Sequence, residues 1–75
     1  MTVTLDQKIG LKVRQLRDKA SLSQNDAAST CDLTLREFQD GEAGTRRFTS
    51  HELFRLCTEL NVSLSVIFCD FRRVG

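Results

Sequence analysis

Few side chains in this sequence are equipped for covalent chemistry, and several are equipped to hold an anion. The single histidine, His51, has no paired nucleophile in its motif, and neither a Gly-rich phosphate loop nor a carboxylate pair at a cleft is evident. Catalysis is therefore not expected, and no cofactor is implied. Cys31, Cys57 and Cys69 form no CxxC and no Cys/His pair, which argues against a metal site. Their odd number and wide spacing argue against a disulfide framework and for a reducing, cytoplasmic setting, with Cys31 and Cys57 expected on buried helix faces. What remains is charge. Lys8, Lys12, Arg14, Arg17 and Lys19 crowd one stretch, Arg46 and Arg47 sit side by side soon after Gly44, and Arg72 and Arg73 fall near the end. A solvated helix face explains the first group as well as phosphate contact does; the loop guanidinium pair points more to phosphate.

The elements that must position these groups are marked by repeated caps. Thr4-Leu-Asp-Gln7, Ser23-Gln-Asn-Asp26, Thr34-Leu-Arg-Glu37 and Thr49-Ser-His-Glu52 each place a hydroxyl three residues before a carboxylate or amide, and Ser63 begins a weaker fifth. In such a capping box the hydroxyl accepts from an orphan N–H at a helix start while the third side chain reaches back. Hydrophobic staples are expected across them, from Leu22 to Ala27, Leu33 to Phe38, Phe48 to Leu53 and Val62 to Ile67. The chain contains no proline, which suits an all-α fold with Gly, Asn and Asp at the turns.

Five helices follow. The first is expected over about 5–19, with Leu5, Ile9, Val13, Leu16 and Ala20 as its buried stripe. The second covers about 24–30, the third about 35–43 with Phe38 as its main core residue and Gly44 as its stop. The fourth covers about 50–60, with Leu53, Phe54, Leu56, Cys57 and Leu60 forming a broad apolar face, and Asn61 suits its left-handed end. The fifth covers about 64–68, and the tail 69–75 has no clear pattern. The 75 residues make one domain with a core over about 5–68, and an apolar content of 40% is enough for one small core without a deep substrate cavity. No stretch approaches the roughly 20 apolar residues of a membrane span, and no signal-peptide core is seen.

The second and third caps, Ser23 and Thr34, lie only eleven residues apart. Two short helices joined by about three residues, the first with Ala27 and Ala28 on its contact face, approach closely and cross steeply. That is a helix-turn-helix, whose second helix is presented outward for the major groove of DNA.

In order along the chain, Leu22-Ser23-Gln24, Asp32-Leu33-Thr34, Phe38-Gln39-Asp40-Gly41-Glu42-Ala43-Gly44-Thr45-Arg46-Arg47, Leu53 and Leu60-Asn61-Val62-Ser63-Leu64 with Phe68 resemble the Xre/Cro/CI family of helix-turn-helix regulators. The resemblance covers about 8–68. It implies a lambda-repressor-like domain that binds double-stranded DNA. Gln24 resembles the family's phosphate-holding glutamine at the start of the second helix, with the helix N-terminus behind it. Arg17 and Glu42 match positions that form an ion pair tying the first helix to the end of the third. Arg47 matches a phosphate clamp, with Arg46 assisting. Base reading falls to the start of the third helix: Leu35 on a thymine methyl, Arg36 on guanine, Gln39 on adenine, and Asp40 beside them. Ser23 and Thr34, at the two helix starts, complete the DNA-facing set.

The sequence departs from the family pattern within the third helix. Glu37, Asp40 and Glu42 stand against the single Arg36, and net charge is only +1. Gly41 replaces a large apolar residue at a cost of about 1 kcal/mol in helix propensity, besides lost packing. Asp32 stands where a turn glycine is usual. Two functions compete: a transcriptional regulator acting as a homodimer on an inverted repeat, and a protein-interaction module that kept the fold. Val66, Ile67, Phe68 and Phe71 are the expected dimer surface, with closure of the monomer core as the alternative role for Ile67 and Phe68.

Overall fold

The computed structural model describes residues 4–68, the side chain of Phe68 excepted. Five helices follow one another: α1 (Leu5–Lys19), α2 (Gln24–Cys31), α3 (Leu35–Ala43), α4 (Ser50–Leu60) and α5 (Ser65–Phe68), with no strand among the described residues. Full capping boxes open α1, α3 and α4 at Thr4, Thr34 and Thr49, so two orphan N–H groups are satisfied at each start. At α2 only half the box forms. Ser23 accepts from the Asp26 N–H, and no reciprocal bond comes back, since Asp26 is one methylene shorter than the Glu or Gln used elsewhere. The turns close as anticipated: Asp32 (φ 62°), Asn61 (φ 58°) and Gly44 (φ 86°) all take the left-handed conformation. Ser21 (φ 57°) does too, a turn the caps did not reveal.

α1 packs on α3, α3 on α2, and α2 on α4, while α5 closes on α1. The core joins Ile9 and Val13 to Ala27, Ala28, Cys31, Phe38, Phe48, Leu53, Leu56, Cys57 and Ile67. Several expectations for it need correction. Leu5 is 52% exposed and Ala20 is the exposed cap of α1, because the buried stripe narrows to Ile9, Gly10 and Val13 where α3 crosses. Phe54 is 57% exposed, since the buried face of α4 is confined to Leu53, Leu56 and Cys57. α2 runs one residue further than anticipated, to Cys31, and α5 starts one later, at Ser65.

Gly41 loses no packing. A Cβ there would lie 2.5 Å from the Phe48 ring, so Phe48 already fills the space that a large side chain at 41 would take. The Phe48 ring meets Phe38 edge-on at 5.7 Å between centroids. Gly10 serves a different contact, the α1–α3 crossing: its missing Cβ would stand 2.5 Å from the carbonyl oxygens of Gly41 and Glu42. Gly10 therefore allows the backbones of α1 and α3 to touch, Gly41 admits the Phe48 ring on another side of α3, and α3 is held by its C-terminal half.

Candidate nucleic-acid interface

With its C-terminal half gripped, α3 presents its beginning. Phe38 and Gly41 are buried on one side, whereas Thr34, Leu35, Arg36 and Gln39 are exposed on the other. Leu35 is 38% exposed, and the Arg36 side chain, at 84%, is the more projecting. Asp40 is half-buried, and its carboxylate lies 3.7 Å from Arg36 Nε one turn earlier. One of the three carboxylates that stand against Arg36 in the sequence thus pairs with it.

The Arg17–Glu42 contact is short and shielded. Arg17 Nε donates to Glu42 Oε2 at 2.7 Å, with both side chains largely buried. Arg17 Nη1 also donates to the Leu22 carbonyl at 3.0 Å, so one guanidinium ties α1, the α1–α2 link and the end of α3. Such a pair adds little net stability once desolvation is counted, and its geometry orients α3. Gln24 joins it: Nε2 donates to Glu42 Oε1 at 3.0 Å, and Oε1 accepts from Gln39 Nε2 at 3.2 Å. Arg14, Arg17, Gln24, Gln39, Glu42 and Ala43 line one open polar depression beside α3.

The two loop arginines divide. Arg47 is exposed, and its Nε donates to Asp6 Oδ1 at 3.0 Å. Arg46, expected to assist a phosphate clamp, is turned inward instead. Its Nη1 and Nη2 fork onto the two oxygens of Glu52 at 3.0 and 2.9 Å, while Glu52 also accepts the Thr49 N–H. The fork from Arg46 holds the Glu52 carboxyl below its ordinary range, and the same bond raises Arg46. Arg46 therefore fixes the loop to the start of α4, leaving Arg47 as its outward cation. The sequence reading missed these roles because their carboxylate partners come from other elements.

Remaining reactive groups stand apart. His51 is exposed in the first turn of α4. Cys31 and Cys57 are buried free thiols, Cys31 donating to the Glu52 carbonyl at 3.5 Å; burial, then Glu52, pushes Cys31 up to about 11, so it is inert as a nucleophile. No group of His, Cys, Asp or Glu able to hold a metal occurs among the described residues. Likewise no described helix is long and apolar enough to cross a membrane. Of the expected dimer residues, Ile67 is fully buried within the monomer, so it cannot form an outer surface. Val66 is half-buried beside an apolar groove lined by Leu16, Ala20, Leu60 and Val62. The side chain of Phe68, and Phe71 altogether, lie outside the described residues.

No protein-family model matches the sequence, and no curated protein does. Solved structures do match. The chain is similar to the restriction-modification controller protein C.AhdI from Aeromonas hydrophila, with 27% identity, a TM-score of 0.77, and coverage of 84% of this chain and 96% of that one. It superposes on the clp gene regulator ClgR from Corynebacterium glutamicum with a TM-score of 0.84 at 18% identity, covering 91% of this chain and 72% of that one. A Vibrio cholerae transcriptional regulator of the HTH_3 family matches at 0.74 and 22% identity, over 87% of this chain and 36% of the longer regulator. The fold is that of the Xre/Cro/CI-type helix-turn-helix regulators, a fold of regulators and not of enzymes among these neighbours.

Proposed function

We propose that the chain is a sequence-specific DNA-binding transcriptional regulator that works as a homodimer, with α3 in the major groove of each half of an inverted repeat. The observation carrying this reading is the polarity of α3: its second half is clamped by Gly10, Phe48 and the Arg17–Glu42 pair, and its first turn stands free. Arg36 is suited to guanine, Gln39 to adenine and Leu35 to a thymine methyl. The starts of α2 and α3, at Ser23, Gln24 and Thr34, offer backbone N–H groups to phosphates, and Arg47 clamps another. Asp40 limits Arg36 to bases that compete well with it, and Arg46 keeps the loop in shape. One such helix makes few base contacts, so two-fold pairing is needed for specific affinity. The Val66 edge of the apolar groove is the proposed pairing surface, and Phe68 and Phe71 remain candidates for it from the sequence alone. Regulatory roles are carried by the similar C.AhdI and ClgR, which supports the same broad role here.

A specific observation keeps a second reading in play. Arg36, Arg46 and Arg47 each face a carboxylate of this chain, at 3.7, 2.9 and 3.0 Å, which lowers the net pull on a polyanion. A protein-interaction module would have the same surface. Selection from random duplexes separates the two. A regulator returns an enriched motif with two symmetric half-sites, whereas no duplex binding at low salt, at protein concentrations of about tens of micromolar where even non-specific binders associate, supports the interaction reading.

A further inference from the structure

We infer that Asp40 is a positioning residue that keeps Arg36 off the DNA backbone and aims it at guanine, an inference that rests on the DNA-binding reading above. Two of the three carboxylates of α3 are already committed. Glu37 closes the capping box, its Oε1 accepting the Thr34 N–H at 2.9 Å. Glu42 is taken by Arg17 and Gln24. Asp40 is left facing the exposed cation of its own helix, with Oδ1 3.7 Å from Arg36 Nε. Arg46, which also feels the Asp40 charge, is no rival, because both its Nη atoms are forked onto Glu52.

An exposed ion pair is worth little in water. Its weight rises in a groove, where water is excluded and charges act more strongly on one another. Asp40 occupies the Nε side of the guanidinium, and Arg36 has no other polar partner among the described residues. The N–H groups of Nη1 and Nη2 therefore stay open as a fork. Guanine offers that fork O6 and N7, two uncharged acceptors side by side. A phosphate would instead bring a second full negative charge up to the Asp40 carboxylate, and like charges repel. Freed of Asp40, an exposed arginine would turn to phosphates, whose contacts carry no sequence information. The carboxylate thus lowers affinity for DNA in general and raises selectivity.

The test measures base preference, by selection from random duplexes, and duplex affinity for the full chain and its variants. Arg36→Ala first identifies the position whose guanine preference this arginine sets. There Asp40→Asn, which keeps shape and removes the charge, is expected to cut the guanine preference by about threefold or more, the scale of ordering one long side chain. The same variant is expected to bind random duplexes about two- to fivefold more tightly at low salt. Its salt dependence should also steepen as Arg36 takes a phosphate. In the Arg36→Ala background the gain on random duplexes is expected to vanish. A merely structural role would lower both quantities together, and Asp40→Asn leaves in place the backbone carbonyl that accepts from Thr45 and Arg46. Should Asp40→Asn not melt cooperatively, Asp40→Ala is read in the same way. An intact guanine preference, or a gain on random duplexes that persists without Arg36, overturns the assignment alone. A wild-type chain with no duplex preference overturns both the assignment and the reading beneath it.

Discussion

Arg47 Nε sits 3.0 Å from Asp6 Oδ1, so the outward cation of the α3–α4 loop is tethered to the first turn of α1. A DNA phosphate reaching Arg47 must displace or share with that carboxylate. Asp6→Asn removes the competitor and one negative charge from the same face. Affinity for every duplex should rise at low salt by about fivefold at most, the ceiling expected of an exposed pair. Fluorescence anisotropy on unrelated duplexes measures it, and unchanged affinity would show that Asp6 does not compete.

Arg36 and Arg47 should differ in kind. Replacing Arg36 by Ala is expected to weaken a selected duplex while leaving random duplexes nearly unaffected, since base contacts specify. Replacing Arg47 by Ala should weaken all duplexes and reduce the slope of log affinity against log salt by about one. Salt titrations of both variants on both kinds of DNA decide the matter; parallel losses would refute the division.

Gly10 and Gly41 are predicted to resist substitution although each lies inside a helix. Alanine at Gly10 would drive a Cβ into the carbonyls of Gly41 and Glu42, which cannot move without parting α1 from α3. A loss of about 1–3 kcal/mol is expected from such overpacking, outweighing the helix-propensity gain of about 1 kcal/mol. Gly41→Leu should cost a similar amount by expelling Phe48. Denaturant melts read both, and a stabilised Gly41→Leu would show that the Phe48 ring finds another site.

Arg46 and Glu52 predict a pH dependence. Glu52 has its carboxyl held down by the Arg46 fork and, after the cost of burial, by Thr49, so the folded value lies below the unfolded one. The stability it contributes is present above the ordinary glutamate range, near about 4.3, and is lost as pH falls through the lower folded value. Glu52→Gln should therefore melt below the wild type at neutral pH and converge with it in acid. Thermal melts at several pH values check this; a constant difference would exclude the linkage.

Val66 offers a test of the proposed pairing. Val66→Asp puts charge on the apolar groove edge without touching the buried Ile67. Sedimentation should show a shift toward monomer, with cooperative binding to two half-sites lost. An undisturbed dimer would move the interface elsewhere.

The caps made the helices legible in advance. A hydroxyl at a helix start and a left-handed residue at its end act within a few positions, so Thr34 and Gly44 bound α3 without help from distant chain. Outward presentation of α3 followed from the short connection and the small residues Ala27 and Ala28. The two ends of the chosen stripes were less legible. Leu5 satisfies a helical period yet lies at the exposed start of α1, and Phe54 falls beside the buried face of α4, because periodicity marks a face and neither how far a partner extends along it nor how wide the contact is.

By itself, then, the amino-acid order determined where the helices begin and stop to within a residue, that the second and third pack on each other, and which side chains to propose for DNA contact. Only the packed molecule decided what those side chains do while waiting. It set Arg46 on Glu52, Arg47 on Asp6, Gln24 between Glu42 and Gln39, and the ring of Phe48 over Gly41. The reason is range. A cap closes over three or four residues, whereas an ion pair such as Arg47–Asp6 joins groups 41 positions apart, whose meeting depends on how every intervening helix is packed.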